Sequence, residues 1–345
     1  MDETNSEALV ASQSGCQQCA NPNTEPGYHT QLCSDCRKQL SRYPVLNSVK
    51  LAAVGVGVLF LISLYNFPKY FKAGIAYEKA KQAEKSHHYL KEKQWLKQVL
   101  QQFPNNDNAN IRYLMASIYN DNLTEADSIL QIVRNKKIED EQLVTQATAA
   151  LETLHYFSVK DTAFNTVLDS MDNTTPAYEK ALGTYYGQHP EDVCTGYLWG
   201  LYAYQHQNYP KADSVLSQIT SIAPDFRLGL SLLANTYREE KEYDKALKTY
   251  RLILEQNADA SYAQAGIAKI LLKQHHDKEA LEKAITAYNT DAENAINIHA
   301  LALAYHFNNK PSERDKLYQK LQAIHAEADF LTELDDVMSG KNSYR

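Results

Sequence analysis

The chain has little to interrupt a helix. Its 345 residues include only 12 glycines and 10 prolines, a scarcity that helical repeats require. It also has no excess of basic charge: 35 Lys and Arg stand against 42 Asp and Glu, a net charge of −7. Only four of those basic residues and five of the acidic ones lie in residues 1–50, so neither half carries the footprint of a nucleic-acid binder. Catalytic constellations are missing as well. There is no H-E-x-x-H, no Gly-rich phosphate loop and no G-x-S-x-G, which argues against an enzyme and a small-molecule substrate. No small-residue cleavage site accompanies the one long apolar run. That run also starts too far from Met1 for a cleaved signal peptide.

What is present is a period. Gly200, Ala234, Ala268 and Ala302 follow one another at intervals of 34 residues, and Ala212, Ala246 and Ala280 repeat the interval. No single globular core asks for a small residue every 34 positions, whereas a stack of like helical hairpins does, once per close crossing. Within a unit, Leu230, Leu233, Ala234 and Tyr237 form one apolar stripe. After a short polar turn, Tyr243, Ala246, Leu247, Tyr250, Ile253 and Leu254 form the next. Pro224 stands where a proline stop is expected.

These positions resemble the tetratricopeptide repeat (TPR). Units 193–226, 227–260 and 261–294 fill both small-residue positions, with Tyr209 and Tyr243 as the turn aromatic and Asp277 replacing it in the third. Unit 295–328 keeps Leu301, Ala302, Tyr305 and Tyr318 but has Arg314 in place of the second alanine. Residues 73–106 match through Ala80, Tyr89 and Pro104, with Glu92 replacing the alanine. Residues 107–172 read as two shortened units, around Ala116 with Ala126 and Ala149 with Ala163, and 174–190 as an extra helix. The resemblance implies an all-α, TPR-like solenoid of about six to seven hairpins over residues 73–328, with a cap helix and tail at 329–345.

It also implies that the first helix of each unit lines a concave groove. The candidate partner-binding residues there are Tyr197, Tyr204, Asn235, Arg238, Lys269, His299 and His306, with Leu201, Leu272 and Leu303 between them. Such a surface would take a protein or an extended peptide. His87-His88 and His275-His276 fall in inter-helix turns and read as solvated turn residues.

The first fifty residues are of another kind. Residues 1–15 form a polar leader, expected to be disordered. Cys16-Gln-Gln-Cys19 and Cys33-Ser-Asp-Cys36 are two C-x2-C pairs separated by thirteen residues that include Asn21, Pro22, Asn23, Pro26 and Gly27. This spacing suits a structural tetrahedral zinc site held by Cys16, Cys19, Cys33 and Cys36, and residues 16–48 resemble a short zinc ribbon. With four thiolates no coordination position stays open, so the metal would not be catalytic. Two disulfides are the alternative in an oxidising compartment, and His29 lies near enough to replace one ligand.

Next, Leu51 to Phe67 gives seventeen residues without a charge. At about 1.5 Å per residue they span about 25 Å, close to a hydrocarbon layer of about 30 Å when flanking residues snorkel. Lys50 and Lys69 bracket the run, and Tyr65, Tyr70 and Phe71 mark an interface. A single transmembrane helix over 49–70 is expected, the alternative being a buried core helix. Arg37, Lys38, Arg42 and Lys50 on one side nearly balance Lys69, Lys72 and Lys79 on the other. Thiolate ligands persist best in reducing cytosol, which places the N-terminus inside and the repeats outside. The reading is a membrane-anchored interaction scaffold. A membrane signalling protein whose zinc ribbon contacts a cytosolic partner is the alternative.

Overall fold

The computed structural model describes residues 15–42, 45–136, 138–341 and 344–345. Residues 1–14, most of the expected leader, lie outside the described residues. Among those described, the secondary structure is helical, with no strand. The chain divides into two compact units, Met1–Pro68 and Lys69–Arg345.

In the first unit a cysteine knuckle precedes helix α1, Ser34–Ser41. Helix α2, Asn47–Lys85, begins in this unit and runs past Pro68, where the units divide. Its apolar window has a mean hydropathy of 2.0 and no buried share. This helix is long and apolar enough to cross a membrane. Its exposure sets it apart from a core helix, which would bury that surface. The one amide inside the run is satisfied locally: Asn66 Nδ2 donates to the Ile62 carbonyl at 2.9 Å.

The second unit is the TPR-like α-solenoid. The end of α2 pairs with α3, Tyr89–Gln102, through Ala76, Ala80, Leu96 and Val99. Helices α4, Asp107–Tyr119, and α5, Leu123–Val133, form the second hairpin. An irregular stretch follows: α6, Glu141–Glu152; a 3-10 turn, Thr153–Phe157; α7, Thr162–Asp169; and α8, Pro176–Gln188. Four regular hairpins complete the stack: α9, Val193–Gln205, with α10, Tyr209–Ile222; α11, Arg227–Glu239, with α12, Tyr243–Gln256; α13, Ser261–Lys273, with α14, Asp277–Thr290; and α15, Ala295–Phe307, with α16, Pro311–Ala323. Helix α17, Ala328–Ser339, packs on α15 and α16.

The 34-residue period appears in the packing as small residues at zero exposure: Ala234, Ala246, Ala268, Ala280 and Ala302 are all fully buried. Gly266 shows how tight a crossing can be, since a Cβ there would lie 2.2 Å from the Tyr250 ring. Replacing Ala246 by Leu should therefore cost about 1–3 kcal/mol through overpacking. The same change at partly exposed Ala258 should cost much less, and denaturant midpoints would compare the two. Equal costs would contradict this packing.

The period also recurs in backbone conformation. His87, Asp121, Gln207, Lys241, His275 and Asn309 all have φ between 55° and 64°, and each sits in the turn of one of the six closed hairpins. A left-handed residue reverses the chain after a helix, and glycine would adopt it at least steric cost. None of these six is glycine, so the packing on either side holds them there.

Two expectations change. Ala149 and Ala163 do not meet as a hairpin crossing: both are exposed, and Ala150 is the buried residue instead. Helix α6 packs against α4 instead. Helix α7 packs with α8 and α9 through Leu168, Leu182 and Cys194.

The turn histidines at 87 and 88 are not merely solvated. The His87 carbonyl accepts from Ala258 N at 3.0 Å, and His88 Nδ1 lies 2.8 Å from Asp259 Oδ1. Leu90 N donates to Asp259 Oδ2 at 2.9 Å. One hairpin on, Arg227 holds Asp121 with two donors, at 2.7 and 3.2 Å, and Tyr262 OH donates to the same carboxylate at 3.1 Å. Within residues 69–345 the turns of the first two hairpins are thus bound to the ends of α11, α12 and α13.

Glu92 occupies the helical position that alanine fills in the later units. It is 1% exposed, and neither carboxyl oxygen has a hydrogen-bond partner. Burial first, then the Glu84 carboxylate, push its carboxyl up to about 9 from 4.5, against the pull of Arg112. It is therefore protonated in the folded protein at neutral pH. The unfolded chain releases that proton above about pH 4.5, so stability falls as pH rises from there and levels off near pH 9. The loss should reach roughly 3 kcal/mol by pH 7. Glu92→Gln should flatten the decline, as denaturant midpoints at pH 5 and 8.5 would show. An unchanged slope would mean that Glu92 is ionised in place.

Candidate functional site

The four cysteines converge in the first unit. Ala20 N donates back to the Cys16 carbonyl and Cys16 N to the Asn21 carbonyl, both at 2.8 Å, closing a tight turn around the first pair. Ala20 takes φ of 56° to complete it. The second pair opens α1: Cys33 is its N-cap, and its Sγ accepts from Cys36 N at 3.5 Å. Gln17 N to the Gln31 carbonyl, at 2.9 Å, ties the two turns together. Arg37 braces the loop, 2.7 Å from Glu25 and 3.7 Å over the Tyr28 ring.

The four Sγ atoms lie within 4.8 Å of one another, with Cys19 and Cys33 at 3.5 Å. All four cysteines are free thiols. A tetrahedral site with bonds of about 2.3 Å has edges of roughly 3.8 Å, so the cluster has the size to hold a metal ion. Its electrostatics agree. Burial opposes ionisation of Cys16, yet hydrogen bonds from the Cys33, Gln18 and Cys19 amides outweigh it and bring that thiol down to about 6. Hydrogen bonding to the Cys19 and Cys33 sulphurs, then burial, push Cys36 well up. One thiolate is easy here, and four together need a cation. His29 is exposed and stands outside this cluster.

The seven concave-face residues fall into two sets. Tyr197, Tyr204, Asn235, Arg238 and His306 are half-buried. Asn235 Oδ1 accepts from Arg238 at 2.8 Å and from Tyr250 OH at 2.8 Å, while Arg238 also holds Glu239 at 2.8 Å. Tyr204 packs on Tyr209, with ring centroids 5.7 Å apart, and Tyr197 on Phe226 at 5.4 Å. His306 Nδ1 lies 3.2 Å from Arg314.

Lys269 and His299, in contrast, are 8% and 0% exposed, and Leu272 and Leu303 are fully buried. An open groove wall at these four positions is therefore corrected. Leu272 and Leu303 belong to the core between hairpins, whereas Lys269 and His299 are covered by a segment that the sequence marks only as a cap. Glu333 on α17 lies 3.2 Å from His299 Nε2, and Phe330 lies 4.9 Å from the His299 ring. Burial, then Arg238, lower the Lys269 ammonium to about 8. Burial, then Lys269 and Arg238, take His299 well below its usual range, so it is neutral at physiological pH. The stripe Phe330, Leu331, Leu334 and Val337 was the available signal for this helix.

No family model matches the chain, and no curated protein does. Solved structures of TPR-like helical proteins are similar in part. A crystal structure of MamA shares 14% identity over 43% of this chain and 86% of its own, with a TM-score of 0.36. MamA from Desulfovibrio magneticus RS-1 shares 12% over 47% and 91%, at 0.39. PilF of Pseudomonas aeruginosa shares 11% over 78% and 98%, at 0.32. The chain's own hairpins, with small residues buried at each crossing, make the solenoid TPR-like.

Proposed function

We propose that this protein is a membrane-anchored scaffold that binds a protein or peptide partner on the concave face of its solenoid. The observation that carries this reading is the row of half-buried aromatic, amide and cationic side chains at Tyr197, Tyr204, Asn235 and Arg238 on successive first helices. Such a row offers directional contacts along an extended ligand, while each hairpin supplies the rigid backing. Helix α2 supplies the anchor, with its unburied apolar window.

The four cysteines would hold one structural zinc ion, whose role is to fold residues 16–42. The preferred orientation puts that module in the cytosol and the repeats on the far side. Cys194, the remaining cysteine, suits an oxidising side because it is buried and inert: burial, then Asp192, push its thiol up to about 11.

The test is crosslinking on carbonate-washed membranes carrying the full-length chain, followed by mass spectrometry. Tyr204→Ala with Arg238→Ala should lose the partner. Gln218→Ala with Lys248→Ala, exposed residues of second helices, should keep it. Loss in the second variant with retention in the first would move binding to the convex face. A chain washed off by carbonate would remove the anchor from the reading.

A further inference from the structure

The concave face carries a cationic lane. Arg238, Lys269 and Lys273 lie on the first helices of two successive units, and burial lowers both lysine ammonium groups. The residues that cover this lane come from the chain itself. Phe330 lies 5.4 Å from the Lys269 ammonium, and Glu333 reaches His299. After α17, Gly340 turns the chain at φ of 70°. Tyr344 then packs 7% exposed, with its ring 4.3 Å from the Lys273 ammonium and its carbonyl accepting from Lys273 at 3.1 Å. Arg345 stacks 3.9 Å over Phe307 and pairs with Asp277.

This covering segment is lightly held. Only Leu334 and Val337 of α17 are buried, whereas ten residues of α13 are. Leu331 and Met338 are only partly buried against the core, and the contacts to Lys269, Lys273, His299 and Phe307 are polar and aromatic, the chemistry of a ligand in a site. Besides packing on the last hairpin, α15 and α16, it reaches back to α13 through Phe330 at Lys269 and Tyr344 at Lys273.

We propose that residues 328–341, with Tyr344 and Arg345, are an internal ligand of the concave face, and that the external partner presents the same chemistry: a peptide or helix bearing aromatic and carboxylate side chains. This deepens the scaffold reading and rests on it. The tether gives the internal segment an effective concentration on the order of mM. A partner of micromolar affinity is therefore excluded until the segment lets go, and its apparent affinity scales with the released fraction.

The probe is a fluorescein-labelled peptide of residues 328–345, titrated into the full-length protein in detergent. Wild type should bind it weakly. Phe330→Ala with Tyr344→Ala should bind it about tenfold more tightly or better, and hydrogen exchange over 328–341 should quicken in that variant. Adding Lys269→Glu and Lys273→Glu should abolish the gain. Unchanged exchange would overturn the proposal, because the named contacts would not be what holds the segment. Faster exchange without peptide binding, or equal binding by wild type, would overturn it as well. If the peptide fails while the Tyr204 and Arg238 variant still loses its partner, the groove reading stands and only the internal ligand falls.

Discussion

Chelation of the metal, or Cys33→Ser, is expected to unfold residues 15–42 and leave the helical signal of the solenoid nearly intact. The segment has no other source of stability. Its buried apolar residues are Cys16, Cys33 and Cys36 alone, and its one complete helix has eight residues. A helix of that length does not persist in water by itself, and so small a module has no core to compensate. Zinc coordination is worth on the order of 10 kcal/mol in comparable modules, far more than the hydrogen bonds of the two turns. The solenoid has its own core and is a separate compact unit, so its unfolding should not follow. Elemental analysis should find one zinc per chain, lost in the variant. Four freely reactive thiols and no zinc in the native protein would defeat the zinc reading.

Arg227→Ala should be the most damaging single change in the solenoid, at about 3–5 kcal/mol. Arg227 and Asp121 have side-chain exposures of 9% and 12%. Removing the guanidinium leaves a buried carboxylate without its charge partner, with Tyr262 as its remaining donor. The Ile118 carbonyl, at 3.3 Å, also loses its contact with Arg227. Breaking an exposed pair such as Lys245 with Glu242 should cost far less. Denaturant melts of the two variants make the comparison. If Arg227→Ala costs as little as the exposed pair, the contact between the turns and α11 does not form in solution.

The parts legible in the sequence were those with a local rule. The small residues at Gly200, Ala234, Ala268 and Ala302 marked close helix crossings because a crossing recurs at each unit. The C-x2-C pairs marked a four-sulphur cluster because each pair fits a single turn. The apolar run stood out because it has no charged residue. What was not legible depends on partners far along the chain. His88 meets Asp259 across 171 positions, and Arg227 meets Asp121 across 106. No period or spacing connects such pairs. Lys269 and His299 looked open because their own helices leave them off the packing stripe; what covers them is a later segment whose Tyr344 and Arg345 carry no pattern. Ala150 is buried in place of Ala149 because α6 packs on α4, a partner that no spacing in the sequence names.

The contact between the early turns and the central helices also decides where force would travel. A solenoid with free ends yields to tension one repeat at a time, because each hairpin touches only its neighbours. Here His88 and Asp121 are bound to Asp259 and Arg227, so a pull between residues 69 and 345 bypasses α5 to α10. The load passes from the turns after α2 and α4 straight into α11, α12 and α13. Tension applied across residues 69–345 would meet a short, stiff path in place of a long, compliant coil. The irregular α6–α8 stretch, shielded from that path, need not be strong.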